Sequence, residues 1–358
     1  MKILYGTFYH SKFGMGGAEQ VLRDLARAMK ERFHEDVMCI ANPGLLTLSF
    51  RESEIPVAEV PLSKMKTLQI LWRLQRVISD FQPDIIHSHH RYMTFLLDLF
   101  FKRKAKIIHT QHVPAWDWRG LFRYGHLATA VHEAVRRNLI ETYTVPEDCV
   151  VTIPNAVPPQ VPDPKELRTL CQRYPRQKGQ CFALCIARLD EQKGHRHLVE
   201  AVAELPKVYQ ERIKIFLAGD GVLAATLKKE VVEKGVTQQF IFLGHTNKIP
   251  EFLTLCDFLV LPSLWEGLPL SILEAYSAGK PVIATDIPGS RESVRPGETG
   301  LLVPARDATS LAKALIKFIE HPPDVAAMGG SAYDFWQEKF SFERMVSAYH
   351  ELYKNLLK

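Results

Sequence analysis

Residues 257–285 read DFLVLPSLWEGLPLSILEAYSAGKPVIAT. The apolar run 257–262 predicts a strand, a loop with Glu266 and Gly267 follows, Pro269 takes the first position of a helix, and 281–285 is a second strand. Strand, helix and strand in about thirty residues make a βαβ crossover, the unit of a parallel sheet. The helix aims its free first amides back at the loop, which favours an anion such as a diphosphate there. Glu274, about one turn in, can accept bonds from two vicinal ribose hydroxyls, and Glu266 can take sugar hydroxyls in the same way. Two carboxylates eight positions apart are unremarkable by count. The strand end, glycine and helix start between them outweigh a purely structural reading.

Outward from this unit the alternation continues. Strands are predicted at 181–187, 213–218, 239–243 and 300–303, with helices such as 195–205 and 307–320 between them. The first half repeats the pattern with strands at 2–8, 36–41, 84–89, 105–111 and 149–153. Its first crossover helix, 17–33, places Val21, Leu22, Leu25, Ala28 and Met29 on one face. Pro154, Pro158, Pro159, Pro162, Pro164 and Pro175 break the alternation and read as linker. The expected class is therefore α/β with two doubly wound domains, 1–157 and 158–341, as 358 residues also suggest. Amphipathic segments 323–338 and 342–357 close the chain.

Composition bounds the partners. A net charge of +5, with most of the surplus in residues 1–160, does not argue for nucleic acid. The six cysteines form no C-x-x-C pair and four fall in strand-like runs, which fits buried thiols in a reducing compartment. Met1 leads directly into a strand without a basic leader. The longest apolar stretch, 92–101, is broken by Asp98 and has half the length of a membrane span. A cytoplasmic protein is expected.

Three further groups can do chemistry. Gly14, Gly16 and Gly17 sit between the first strand and the first helix, a place where backbone amides approach phosphates. Glu19 stands where a dinucleotide loop wants a small residue, and the second strand has no acidic end for a ribose, so NAD fits poorly. Arg188 and Lys193 follow the first strand of the second domain, where open α/β sheets bind ligands, and suit a diphosphate. His87, His89, His90, His109 and His112 cluster near two strand ends. Alternation sends His89 and His90 to opposite faces and no cysteine or carboxylate joins them, so no metal is expected. Trp116, Trp118, Arg119, Phe122 and Arg123 offer either a sugar-stacking surface or a staple for their loop. Lys102, Arg103, Lys104 and Lys106 after the apolar helix offer either peripheral membrane contact at the inner face or complements to its dipole; a packed crossover helix is the preferred reading.

Together, E-G-x6-E-A at Glu266–Ala275, A-R-L-x3-K-G at Ala187–Gly194, Gly16-Gly17-Ala18-Glu19, Ile153-Pro154-Asn155 and GKPVIAT at 279–285 resemble the retaining nucleotide-sugar glycosyltransferases of GT-B fold, the family 4-like "glycosyl transferases group 1". The resemblance spans essentially the whole chain. It implies two Rossmann-like domains facing across a cleft, a C-terminal helix returning to the N-terminal acceptor domain, and no required metal or cofactor. The nucleotide-sugar, expected to be a UDP-sugar, is a substrate. Carried over by motif, Arg188 and Lys193 hold the diphosphate, Glu274 the ribose, Glu266 the donor sugar, and His112 approaches that sugar. Gly16, Gly17, Gly244, Gly267, Leu268 and Leu270 complete the donor-binding set. The implied reaction is transfer, with retention, to a hydroxyl of a cell-envelope glycan or lipid-linked acceptor.

The chain departs from the family pattern at Pro269, where a second glycine is frequent, at His132, frequently serine, and at Ala156, usually glycine. These departures bear on the donor's identity. A nucleotide-sugar epimerase and a catalytically silent sugar-nucleotide binding module remain as alternatives.

Overall fold

The structure, a computed structural model, describes residues 1–8, 16–61, 65–116 and 119–358. Gly14, Trp118 and the side chain of Arg119 lie outside that description. The chain divides into two compact units, Met1–Asn155 with Glu343–Lys358, and Ala156–Phe342.

In the first unit, seven strands are present among the described residues: β1 (Lys2–Thr7), β2 (Asp36–Ala41), β3 (Val57–Glu59), β4 (Ile85–Ser88), β5 (Lys106–Gln111), β6 (Leu127–Ala130) and β7 (Val150–Thr152). Their order is β3-β2-β1-β4-β5-β6-β7, all pairs parallel. Helices cover both faces, so inner strands such as β4 are buried at every position, including His87 and Ser88. The sequence reading omits β3 and β6. One is three residues long, and the other, Leu-Ala-Thr-Ala, lacks the β-branched density that marks a strand. Helix Gly17–Phe33 buries Val21, Leu22, Leu25, Ala28 and Met29. Glu19 closes its first turn, its Oε2 accepting from the Gly16 amide at 2.7 Å, which gives that acidic residue a capping role.

Helix Phe342–Leu357 completes this unit from the far end of the chain. Tyr353 hydroxyl bonds His87 Nδ1 at 2.7 Å and Tyr5 hydroxyl at 3.1 Å, and Tyr349 hydroxyl lies 3.3 Å from both Thr110 and Thr129. Both tyrosines are buried.

The second unit holds β8 (Cys181–Ile186), β9 (Ile213–Ala218), β10 (Phe240–Gly244), β11 (Phe258–Leu261), β12 (Val282–Thr285) and β13 (Gly300–Val303), in the parallel order β10-β9-β8-β11-β12-β13. The chain winds one way from β8 to β10 and the other way from β11 to β13, so the order reverses between β8 and β11. That reversal opens a crevice at the carboxyl ends of these two strands.

Two expectations are corrected. The proline-rich segment is not all linker: Asp163 caps helix Pro164–Arg173 by accepting from the amides of Lys165 and Glu166, with Pro164 at its first position. That helix is tied to the second unit by Asp163 N to Glu251 Oε1 at 2.8 Å and Lys248 to Glu166 at 2.5 Å. Pro269 is the N-cap of helix Leu270–Ser277 and not its first residue, because its ψ of 112° is extended.

Candidate active site

β8 and β11 are neighbours, with Ala183 opposite Phe258 and Leu184 opposite Leu259. The loops that follow them, 187–194 and 262–269, therefore leave the sheet side by side. Gly194 makes that possible. It sits at φ +63°, and a Cβ there would come within 2.1 Å of the Pro262 carbonyl oxygen. The Leu264 amide donates to the Gln192 carbonyl at 2.7 Å, which pins the two loops together.

Three charged residues expected from the sequence join in this crevice. Lys193 Nζ donates to Glu266 Oε1 at 2.5 Å, and the two side chains are 16% and 7% exposed. Ser263 Oγ donates to the same carboxylate oxygen at 2.7 Å. Arg188 lies 3.2 Å from Asp190 Oδ2 and donates to Gln192 Oε1 at 3.3 Å, while Gln192 Nε2 reaches the Trp265 carbonyl at 2.9 Å and Glu266 Oε2 at 3.5 Å. Gln192 thus links the arginine to the lysine–glutamate pair. Ser263 and Gln192 are absent from the sequence reading; both lie inside its two motifs, but neither residue type announces a bridging role.

The loop after β11 feeds helix Leu270–Ser277, whose first bonded amide is Ile272, donating to the Pro269 carbonyl. The amides of Leu270 and Ser271 precede that bond and form the positive end of the helix. Leu268 and Leu270 have buried side chains, so only their backbones can serve a polar ligand. Glu274 is buried in the second turn. Gly267 is held from behind by Gly289, where a Cβ would come within 1.7 Å of the Gly267 oxygen. Gly244 ends β10 at φ +68° and its carbonyl accepts from the Gly219 amide at 2.9 Å, on the outer side of β9.

Gly16, Gly17 and His112 belong to the first unit. Gly16 caps helix Gly17–Phe33 and Gly17 begins it, directly after the undescribed stretch 9–15. The five histidines separate by their partners. His87 uses both nitrogens, on Tyr353 and on Thr110 Oγ1 at 2.6 Å; His109 uses both, on Thr94 at 2.8 Å and Gln111 at 2.9 Å. These two are built into the core. His89 Nδ1 and His112 Nε2 lie 2.9 Å apart, one donating to the other, while His89 Nε2 and His112 Nδ1 are buried without a protein partner. Burial drives all of these imidazoles toward the neutral form, His112 down to about 3 with His109 adding to the effect, and His90 and His109 to about 4. A neutral His112 presents a single donor or acceptor at Nδ1. Among the described residues, no group of three His, Cys, Asp or Glu is placed to hold a metal ion.

In the aromatic loop, Trp116 is 67% exposed, whereas Phe122 is buried against His109 and Tyr143 and acts as the staple. Lys102, Arg103, Lys104 and Lys106 are exposed after helix Arg91–Phe101. No described helix is long and apolar enough to cross a membrane.

Two family models match the chain: Glycosyltransferase Family 4 over residues 15–161 and Glycosyl transferases group 1 over residues 168–335. Among curated relatives, N-acetyl-alpha-D-glucosaminyl L-malate synthase of Bacillus anthracis is 26% identical over all of this chain and 98% of its own. UDP-Gal:alpha-D-GlcNAc-diphosphoundecaprenol alpha-1,3-galactosyltransferase of Escherichia coli is 26% identical over 85% of this chain and 84% of its own. Among solved structures, Anabaena HepE in complex with UDP superposes with a TM-score of 0.86 at 20% identity, covering 99% of this chain and all of the other.

Proposed function

The chain belongs to the group 1 and family 4 glycosyltransferases of GT-B fold, and from that premise we propose that it transfers a sugar, with retention and without a metal ion, from a UDP-sugar to a hydroxyl of a glycan or lipid-linked acceptor in cell-envelope synthesis. The observation that carries this reading is the convergence of Lys193, Arg188 and the amino end of helix Leu270–Ser277 on the crevice between β8 and β11. Two cations and a helix end suit the diphosphate. Glu274 takes the ribose hydroxyls, and Glu266 those of the donor sugar. The second unit is thus the donor half and the first unit the acceptor half, with His112 Nδ1 offered to a sugar hydroxyl.

In this mechanism the bond from the anomeric carbon to the diphosphate oxygen breaks, and the acceptor oxygen bonds to that carbon from the same face. The acceptor proton passes to the departing diphosphate. No side chain forms a covalent intermediate, so catalysis rests on stabilising the charge that grows on the leaving oxygen, the task of Arg188, Lys193 and the helix amides. A neutral His112 adds a hydrogen bond without adding a charge that would oppose an electron-poor sugar ring. The relatives with UDP or UDP-galactose in their names support uridine as the base.

The deciding experiment combines binding with product analysis. UDP at a hundred times its Kd stabilises the folded chain by about 2.7 kcal/mol; GDP and ADP at the same concentration give smaller shifts, and Glu274→Ala abolishes the UDP shift. With α-linked UDP-sugars and chelator present, the product's anomeric proton reports an α linkage. A β-linked product overturns retention, and loss of turnover on chelation overturns metal independence. A shift with NAD alone refutes the donor site.

A further inference from the structure

β4 and β5 lie side by side with Ser88 opposite His109, and the residue that follows each strand is a histidine, His89 after β4 and His112 after β5. His87 and His109 spend both ring nitrogens on core partners; these two spend one each. His89 Nδ1 and His112 Nε2 lie 2.9 Å apart, and the other nitrogen of each ring is buried without a hydrogen-bond partner. The His89 ring has little freedom. Its amide donates to the Gly6 carbonyl of β1 at 2.8 Å, and its ring packs 4.4 Å from that of His87, which Tyr353 and Thr110 hold at both nitrogens. His89 is 1% exposed and His112 8%.

Counting protons limits what this pair can offer. Burial keeps both rings neutral at physiological pH, so four nitrogens carry two N–H groups. One N–H lies in the bond between the rings, since two lone pairs at 2.9 Å would repel. The other is on an outer nitrogen, and the direction of the shared bond decides which. If His89 Nδ1 donates, the His112 proton is on Nδ1. If His112 Nε2 donates, His112 Nδ1 is a bare acceptor and the outer proton is on His89 Nε2. Both outer nitrogens are buried, so the cost of desolvating an outer N–H is similar in the two arrangements and does not choose between them. Intrinsic chemistry does. A histidine side chain holds its proton more readily on Nε2 than on Nδ1, and only the second arrangement gives both rings that form. The bond made at one nitrogen then fixes what the other presents.

We propose that His89 is a positioning residue for the reaction proposed above: by accepting the Nε2 proton of His112 it holds that ring in the single tautomer whose Nδ1 is a hydrogen-bond acceptor, ready for a sugar hydroxyl. The proposal rests on the reading that His112 faces a sugar. His89 itself touches neither the diphosphate nor the reacting atoms in this role, and acts only through the second ring.

The test is nitrogen-15 labelling of histidine in the full chain, with long-range proton–nitrogen correlation to tell a protonated ring nitrogen from a bare one, followed by initial rates on a UDP-sugar. His112→Asn identifies the His112 signals by their loss. In the wild-type chain without substrate at pH 7, His112 shows a protonated Nε2 and a bare Nδ1. His89→Phe keeps a ring in place and removes its nitrogens; the His112 signals then move toward a mixture of tautomers, and kcat falls roughly tenfold, the worth of one hydrogen bond, while KM for the UDP-sugar stays within about twofold. His89→Asn, whose Oδ1 takes the place of Nδ1 as acceptor, restores the single tautomer and most of kcat. A protonated Nδ1 on His112 of the wild-type chain, a tautomer unchanged by His89→Phe, or wild-type kcat in that variant overturns the proposal, as does a His89→Asn variant no better than His89→Phe. A wild-type chain that turns over no UDP-sugar refutes the reaction instead, and the two failures are distinct because the His112 signals are read without substrate.

Discussion

Replacing Lys193 by Met retains the packing of the lysine stem and removes the ammonium that meets Glu266 at 2.5 Å. An exposed ion pair is worth about 0–1 kcal/mol, whereas removing one member of a fully buried pair costs about 3–5 kcal/mol because the other charge is stranded. Here the side chains are 16% and 7% exposed, and Ser263 Oγ still donates to the stranded carboxylate at 2.7 Å. The cost therefore falls between the limits, at about 2–3 kcal/mol. For a unit of this size that lowers the melting point by roughly 4–12 °C. Glu266→Gln alone costs less, about 1–2 kcal/mol, because the more exposed ammonium can turn to water. In the double variant no charge is stranded, and Ser263 can donate to the new amide oxygen, so stability returns to within about 1 kcal/mol of wild type. In the reaction proposed above Lys193 is the cation that meets the leaving diphosphate, so turnover does not return and kcat stays down roughly 100- to 1000-fold. Differential scanning calorimetry of the four proteins, with initial rates on a UDP-sugar, reads both quantities. Single effects that simply add to within about 0.5 kcal/mol would show that the pair does not exist in solution. Recovery of turnover in the double variant would remove Lys193 from the leaving-group site.

Three other perturbations probe the scaffold. Gly289→Ala drives a methyl to within 1.7 Å of the Gly267 oxygen, so the loop carrying Glu266 must shift; stability falls by about 1–3 kcal/mol and kcat by roughly a hundredfold, and wild-type kcat in the variant would mean the loop has room that the structure denies it. Tyr353→Phe deprives His87 Nδ1 and Tyr5 of their partner and lowers the calorimetric transition of the first unit by about 1–3 kcal/mol, leaving that of the second in place; equal effects on both transitions would contradict the assignment of the last helix to the first unit. His87, His89, His109 and His112 are buried, His90 is half-buried, and burial holds all five below the ordinary 6.5, so the unfolded chain binds more protons; the stability they provide is complete above 6.5 and drains as pH falls, toward about 4 for His90 and His109 and about 3 for His112. Circular dichroism against urea at pH 7, 6 and 5 should show the first unit weakening steeply with uptake of several protons, and a flat stability from pH 7 to 5 would mean that these imidazoles are hydrated.

The sheets were legible where burial on both faces forces apolar residues to run on, as in Val282–Thr285 and Phe258–Leu261. They were not legible in Leu127–Ala130, where Thr129 meets the Tyr349 hydroxyl of the returning helix, a partner more than two hundred positions away. Helix Pro164–Arg173 was hidden by the prolines around it, although Asp163-Pro164 is itself a start signal. At the site, the sequence separates a cation motif and a carboxylate motif. Only the adjacency of β8 and β11, which no local pattern records, puts Lys193 onto Glu266. The histidines show the converse. Their clustering was evident, but which nitrogens are free depends on Thr94, Thr110, Gln111 and Tyr353, partners drawn from three different elements.

The same topology, wound twice, carries two different electrostatic characters. In the second unit the strand order reverses between β8 and β11, and the loops there bring Arg188, Lys193, Glu266 and a helix amino end, groups that bind and respond to charge. In the first unit the reversal lies between β1 and β4, and the residues following β4 and β5 are His89 and His112, buried imidazoles that stay neutral throughout the physiological range. A neutral imidazole pair offers a diphosphate, which only accepts hydrogen bonds, one N–H and no charge, but its two outer nitrogens can meet a hydroxyl as donor or acceptor. Sugar and acceptor hydroxyls are such partners. The division of labour proposed here, with charge handled in one unit and hydroxyls in the other, therefore has its basis in which side chains remain ionised when the two sheets fold. His112→Asn, which retains a neutral donor and acceptor, should accordingly preserve more turnover than His112→Ala, and His112→Lys, bringing charge into a buried neutral pair, should be the worst of the three. If initial rates on a UDP-sugar were as high for the lysine variant as for the asparagine variant, the neutrality of this pair would have no part in the reaction.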